Sequence, residues 1–202
     1  MTIKVMLADD QALVRGALAA LLELEVDLTV VAEASRGDEV VELATKEQPD
    51  VVLMDVEMPG LDGIAATAQL RKVLPDVRVL IVTTFGRPGY LRRGLQAGAA
   101  GFVVKDTPAR ELADTVRRVH QGLRVVDPAL ATDSLVAGES PLTARETDVL
   151  KAARGGGTVA DIAGELFLSE GTVRNHLSSV IGKTGARTRA EAVQIADNNG
   201  WL

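Results

Sequence analysis

Acidic, hydroxyl and ammonium side chains follow the short apolar runs in the first part of the chain. Asp9 and Asp10 follow the first run, Asp55 follows a later one, and Thr83 and Lys105 belong to the ends of two more. Three carboxylates at close range repel one another unless a cation offsets their charge. Because the candidate ligands are all oxygens, the expected cation is Mg²⁺. A carboxylate beside Mg²⁺ can attack phosphorus and form an acyl phosphate.

Asp55 is the expected nucleophile, because its run would lie mid-sheet and it precedes the turn at residues 56–60. Thr83 and Lys105 would then orient and neutralise the transferred group. Taken alone, any one of these aspartates is more often a loop residue or a helix cap, and an isolated lysine after a strand is usually a solvated charge. All five groups at the ends of the appropriate strands favour phosphoryl-transfer chemistry.

The elements that must position these groups are five apolar runs alternating with five amphipathic segments. The runs are rich in Val, Leu and Ile with little polar alternation, which is typical of strands covered on both faces. Parallel strands need crossover connections, so the pattern predicts an α/β domain with a parallel sheet that binds ligands at the carboxyl ends of its strands. The predicted strands are Ile3–Ala8, Leu28–Ala34, Val51–Met54, Val77–Val82 and Gly101–Val104, and the predicted helices are Ala12–Leu24, Gly37–Glu47, Ile64–Val73, Gly89–Ala97 and Arg110–Gln121.

The periodic pattern breaks down after Gly122, where proline and glycine recur. We interpret residues 122–139 as a linker between a first domain, residues 1–121, and a second domain, residues 140–202.

The second domain carries only helical signals. Thr143 and Glu146 are typical of a capping box, and Thr158, Ser169 and Thr188 can each cap a further helix. The sequence therefore predicts a small all-α domain of four helices with a helix-turn-helix at its centre.

The helix after Ser169 combines a buried stripe with a polar face. Val173, Leu177, Val180 and Ile181 recur at the spacing of one apolar face. On the other faces an arginine could read guanine, an asparagine could read adenine, and further donors could contact phosphates. The same pattern fits a helical bundle with a solvated face, so the residues alone leave both interpretations open. The candidate DNA contacts are Thr172, Arg174, Asn175, His176, Ser178 and Lys183.

Four motifs of the first domain resemble the receiver domain of two-component response regulators. The resemblance implies a flavodoxin-like fold with five parallel strands in the order 2-1-3-4-5. It implies that Asp55 accepts a phosphoryl group from a sensor histidine kinase, and that Thr83 and Phe102 form a switch pair. The motifs are Asp9-Asp10, Val51-Val-Leu-Met-Asp55 with Met58-Pro59-Gly60, Thr83, and Phe102-Val-Val-Lys105.

The same resemblance implies a ligand set for Mg²⁺. Asp10 and Asp55 would bind the ion directly, Asp9 would bind it through water, and the backbone carbonyl of Glu57 would add a ligand.

Four motifs of the second domain resemble the LuxR-type helix-turn-helix, so that the whole chain is similar to the NarL/FixJ family. The resemblance implies that Arg174, Asn175 and Ser178 face DNA bases. Residues 83–90 and the closing Asn199-Gly-Trp201 are further similar to the DesR subgroup, which implies control of a lipid desaturase. The motifs are Pro141-Leu-Thr-Ala-Arg-Glu146, Ile162-Ala163, Leu168-Ser-Glu-Gly-Thr-Val-Arg-Asn-His176 and Arg189-Ala-Glu-Ala-Val193.

The chain departs from the family pattern at two positions. One is at the start of the helix before the turn, and the other is in the helix after Ser169, which would be the recognition helix. Val159 stands where the family usually carries asparagine, so Thr158 is expected to cap this helix instead. Ser178 replaces a common second basic residue, which predicts weaker base readout.

Composition narrows the class of protein and its location. The 202 residues contain no cysteine, which excludes a disulfide framework and a thiolate metal site. No apolar run approaches the ~20 residues of a membrane span, and no leader is visible, so we expect a cytoplasmic protein without membrane insertion. Residues 1–139 hold 15 basic and 21 acidic side chains, and residues 140–202 hold 7 of each. A neutral second domain predicts weak DNA binding by one copy.

These expectations combine into one hypothesis, a transcription regulator rather than an enzyme. Phosphorylation of Asp55 would shift the population toward a homodimer that binds double-stranded DNA. The candidate dimer surfaces are the helices Ala12–Leu24 and Arg110–Gln121, the latter through Leu112, Val116 and Val119.

Two alternatives remain at this point. An aspartyl-phosphate phosphatase would need a second aspartate two residues after the nucleophile, where this chain has Glu57. An interaction module with the receiver fold would not become phosphorylated.

Overall fold

The computed structural model describes residues 2–84, 88–136 and 140–202. The chain divides into two compact units, one built around a β-sheet and one formed mainly by residues 133–202. Within the described ranges, no helix is both long enough and apolar enough to span a membrane.

The sheet of the first unit is entirely parallel and has the order β2-β1-β3-β4-β5-β6. Its central strand β3 is buried at every position, as a sheet covered on both faces requires. The strands are β1 (Ile3–Ala8), β2 (Leu28–Ala34), β3 (Val51–Met54), β4 (Arg78–Thr83), β5 (Gly101–Val104) and β6 (Val125–Val126).

Two apolar clusters cover the two faces of the sheet. Because successive strand residues point to opposite faces, Met6 and Ala8 belong to one cluster and Val5 and Leu7 to the other. The helices of residues 2–136 are α1 (Ala12–Leu22), α2 (Val40–Glu47), α3 (Gly63–Val73), α4 (Pro88–Gln96), α5 (Ala109–His120) and α6 (Pro128–Val136), with a 3₁₀ turn at Gly37–Glu39.

The five predicted βα units are confirmed, and the predicted order 2-1-3-4-5 holds for the first five strands. The strand count needs a correction, because β6 extends the sheet beyond β5. A strand of two residues is too short to give a periodic signal, so the sequence did not reveal it.

The segment interpreted as a linker contains β6 and α6. The N–H of Asp127 donates to the carbonyl oxygen of Phe102 at 3.0 Å, and Leu130 packs into the core of the sheet domain. Residues 137–139 of this segment lie outside the described residues. The exact bounds 1–121, 122–139 and 140–202 remain predictions.

The second unit includes the four predicted helices α7 (Ala144–Ala153), α8 (Val159–Leu166), α9 (Glu170–Thr184) and α10 (Arg189–Asn198). Each predicted cap is present, since the hydroxyls of Thr143, Thr158, Ser169 and Thr188 accept from backbone N–H groups in the first turns. A capping box with Asp161 closes the start of α8 at Thr158, as expected from the departure at the next position.

Candidate functional site

The two buried aspartates of the acidic cluster are fixed by strand pairing. The backbone N–H of Asp55 donates to the carbonyl oxygen of Ala8 at 2.8 Å, and that of Asp9 donates to Ala34 at 3.1 Å. Both residues therefore stand directly after their strands, at the carboxyl edge of the sheet.

The structure brings the three predicted carboxylates together. Ligand oxygens of Asp9, Asp10 and Asp55 all lie within 4.8 Å of one another. Asp9 and Asp55 are buried, at 3% and 4% exposure, whereas Asp10 is exposed. Such a cluster is open to solvent on one side and closed on the other.

Lys105 binds both buried carboxylates. Its Nζ lies 2.7 Å from Oδ2 of Asp9 and 2.8 Å from Oδ2 of Asp55. The other oxygens of the pair accept backbone bonds, Asp9 Oδ1 from Gln11 N–H at 2.9 Å and Asp55 Oδ1 from Val56 N–H at 2.7 Å. The ammonium thus offsets the repulsion between two carboxylates that burial has brought together.

Two opposing effects set the pKa values of Asp55 and Lys105. Burial disfavours the charged form of each side chain, and the ion pair between them favours it. Burial raises the pKa of Asp55 above its ordinary value, and the hydrogen bond and charge of Lys105 oppose that rise. Burial on its own would lower the pKa of Lys105, but its bonds to Asp55 and Asp9 leave that pKa raised. The lysine therefore remains an ammonium at neutral pH.

The other predicted receiver residues surround Asp55. Thr83 is buried and lines the same small cavity as Asp55 and Glu57. Glu57 follows β3, and its side chain accepts a hydrogen bond from the hydroxyl of Tyr90 on α4 at 3.1 Å. Phe102 on β5 is completely buried.

The donor set suits Mg²⁺. It consists of carboxylate oxygens at the carboxyl edge of the sheet, without the histidine or cysteine that softer metals prefer. The half-exposed position leaves room for the water ligands that this ion retains.

The second candidate site is the polar face of α9. Val173, Leu177 and Val180 are buried, as predicted, and Ile181 packs against the core. Among the candidate DNA contacts, Arg174, Asn175, Ser178 and Lys183 are exposed, and Thr172 and His176 are half-buried.

The family models match both units. Residues 5–117 match the response regulator receiver domain, and residues 140–196 match the LuxR family of bacterial regulatory proteins. The chain belongs to the LuxR-type response regulators of two-component systems.

Full-length relatives support this assignment. The uncharacterized transcriptional regulatory protein YvfU of Bacillus subtilis (strain 168) is 44% identical over 99% of this chain and 100% of its own. The transcriptional regulatory protein DesR of the same organism is 40% identical over 99% of each chain. The crystal structure of the response regulator ChrA, from a heme-sensing two-component system, is 35% identical with a TM-score of 0.61, over 100% of this chain and 99% of that one. The two Bacillus subtilis relatives are transcriptional regulatory proteins, so the phosphatase alternative is not supported.

One feature of the predicted response regulator differs from expectation. Leu112, Val116 and Val119 of α5 belong to the core of the sheet domain, so they cannot form a dimer surface, and the prediction that they do is wrong. The similarity to the DesR subgroup rests partly on residues 85–87, which lie outside the described residues.

Two of the candidate DNA contacts in this response regulator are bound by carboxylates that were not predicted from the sequence. Glu170 pairs with Arg174 within α9, a contact that their i,i+4 spacing signals. Glu146 of α7 pairs with Lys183 of α9, and no local pattern indicates a contact across 37 positions.

Proposed function

We propose that Asp55 accepts a phosphoryl group from a histidine kinase and that this modification promotes DNA binding by a dimer of the protein. The observation that carries this proposal is the buried pair of carboxylates, Asp9 and Asp55, that share the Lys105 ammonium at the carboxyl edge of the sheet.

The transfer step makes and breaks one bond each. A carboxylate oxygen of Asp55 attacks the phosphorus of a phosphohistidine, a P–O bond forms, and the P–N bond breaks. The electron pair of that bond leaves with the imidazole nitrogen of the kinase. Lys105 is positioned to bind a phosphoryl oxygen, because its ammonium already contacts Asp55. Thr83 lines the cavity into which another oxygen would project.

Mg²⁺ would be held by Asp9, Asp10, Asp55 and the backbone carbonyl of Glu57, and it would supply charge neutralisation during the transfer. The clustering of three carboxylates supports this assignment.

Intact-mass analysis tests the acceptor. The full chain treated with acetyl phosphate and Mg²⁺ should gain one phosphoryl group, and Asp55→Asn should gain none. Asp76→Asn, an exposed aspartate in the same unit, is the matched control and should behave as the wild type. Modification that persists in Asp55→Asn would reject the assignment, and sustained turnover of a phosphomonoester would favour a phosphatase instead.

DNA binding is proposed for the polar face of α9, with Arg174, Asn175 and Ser178 toward bases and Thr172, His176 and Lys183 toward phosphates. The exposure of four of these six side chains supports the proposal. Because the regulator would act on DNA, we place it in the cytoplasm. Selection from a random DNA library with the phosphorylated chain should recover one enriched sequence.

Dimerisation is proposed to use a second copy of the apolar stripe of α1. This exposed α1 face consists of Leu13, Ala17 and Ala20 of the helix together with Leu24, which lies just beyond the helix end at Leu22. All four remain exposed within the chain. Leu13 and Leu24 are 86% and 78% exposed. A contiguous apolar stripe on a helix is typical of an interaction surface.

A further inference from the structure

The guanidinium of Arg174, the arginine nearest the start of α9, is bound by a carboxylate of its own helix. Nη2 of Arg174 lies 2.5 Å from Oε2 of Glu170, and the two side chains are 61% and 50% exposed. Glu170 is the first residue of α9, where the partial positive charge of the helix end favours a carboxylate. The pair is therefore anchored at the end of the helix that would enter a groove.

The ion pair leaves most of the guanidinium available. Arginine has five N–H donors in a rigid fork, and Glu170 uses the Nη2 end. Two of the remaining donors are enough for the bidentate bond to O6 and N7 of guanine. Glu170 therefore restricts the side chain of Arg174 without removing its ability to read a base.

The carboxylate of Glu170 should also weaken binding to DNA that lacks the base read by Arg174. A phosphate approaching Arg174 meets the negative charge of Glu170 as well, which weakens the sequence-independent attraction. Four of the seven basic side chains in residues 140–202 already pair with carboxylates, namely Arg145, Arg154, Arg174 and Lys183. The unit is thus poor in unpaired positive charge, so its sequence-independent attraction to phosphates should be weak.

We infer that Glu170 is a specificity-determining residue. It holds Arg174 in the orientation that reads a guanine, and it lowers the affinity for DNA without that guanine. This inference rests on the proposed DNA-binding function of α9 and adds to it a residue that would touch no base.

The experiment compares single-base preferences of full-length variants. The wild-type chain, phosphorylated with acetyl phosphate, first selects its sequence from a random library, and Arg174→Ala then identifies the base pair that Arg174 reads. Fluorescence anisotropy then measures the affinity of the wild type and of Glu170→Gln for three kinds of DNA: the selected duplex, duplexes changed at each position, and an unrelated duplex.

We expect Glu170→Gln to reduce the preference at the Arg174 base pair by about two- to tenfold. Its affinity for the unrelated duplex should rise by about two- to fivefold, because one repulsive charge is removed. In the Arg174→Ala background, Glu170→Gln should change only the affinity for the unrelated duplex and leave the base preference unchanged. Glu165→Gln removes an exposed carboxylate of α8 and should leave the base preference intact.

Different results would contradict DNA binding by α9 and the role of Glu170. If the wild type selects no sequence, the proposed DNA binding fails and this inference fails with it. If the wild type selects a sequence but Glu170→Gln keeps the preference, or alters it at another base pair, the role of Glu170 is overturned while DNA binding stands. A melting temperature close to that of the wild type shows that the variant is folded.

Discussion

The ammonium of Lys183 on α9 lies 2.7 Å from Oε2 of Glu146 on α7. Glu146 is only 4% exposed, and its carboxylate also accepts from the hydroxyl of Ser179 and from the backbone N–H of Thr143. One buried carboxylate therefore caps α7 and ties it to the helix proposed to contact DNA.

Replacing Glu146 by alanine should lower the free energy of unfolding of this unit by about 2–3 kcal/mol, because three donors lose their acceptor. Trp201 is the single tryptophan of the chain and packs in the core of this unit, so its fluorescence during urea unfolding reports the change. Glu165→Ala, on the exposed surface of α8, is the control and should have little effect. Equal stability of Glu146→Ala and wild type would show that the network does not hold the helices together.

The carboxylate of Glu146 should also make the free energy of unfolding depend on pH. The hydrogen bond from Lys183 lowers the pKa of Glu146 from 4.5 to about 2, with help from Ser179 and Thr143 and against the effect of burial. The unfolded chain therefore takes up this proton at a higher pH than the folded one. The contribution to stability is complete above pH 4.5 and is lost as the pH falls toward 2.

Urea unfolding followed at Trp201 at about pH 5, 4 and 3 measures this loss. In Glu146→Gln, which cannot ionise, the slope due to this group should be absent. A wild type and a variant that weaken in parallel would mean that other carboxylates account for the acid sensitivity.

The acidic site was predictable because its geometry follows from strand order. Asp9 and Asp55 directly follow β1 and β3, and adjacent parallel strands end at the same edge of the sheet. Lys105 follows β5 and could be placed at that edge in the same way. That its ammonium would bridge two carboxylates was not predictable, because it depends on side-chain reach over 50 positions of sequence.

The sixth strand and the burial of the apolar stripe of α5 were not predictable from the sequence, because both depend on packing against the rest of the sheet domain. Val125 and Val126 have no periodicity of their own, and only the free edge of β5 makes them a strand. Leu112, Val116 and Val119 form an amphipathic stripe that suits a dimer surface and a core equally well. The structure decides for the core, because these side chains pack on the sheet.

Gly63, the first residue of α3, is predicted to tolerate no side chain. A Cβ at this position would overlap the carbonyl oxygen of Asp55. Gly63→Ala should destabilise the sheet domain by about 1–3 kcal/mol through overpacking. It should also slow acetyl phosphate modification, because Asp55 must shift. Calorimetry and intact mass measure the two effects.

Gly16→Ala provides the opposite case in the same unit. Gly16 lies within α1, and a Cβ there meets no atom within 4 Å. Alanine should stabilise the helix by about 0.5–1 kcal/mol, because it restricts the unfolded chain and favours helix. Similar melting temperatures for the two variants would contradict the close approach at Gly63.

The exposed α1 face gives the last prediction, which separates dimerisation from phosphorylation. Leu24→Glu places a charge on a side chain that is 78% exposed, so the monomer should keep its stability and its modification at Asp55. Burying that charge between two copies should raise the dissociation constant of the phosphorylated dimer at least ~tenfold. Sedimentation velocity with and without acetyl phosphate measures it. Val73→Glu, which places the same charge on an apolar side chain of α3 that is 53% exposed, should leave dimerisation unaltered. If Leu24→Glu dimerises as the wild type does, the second copy must bind elsewhere.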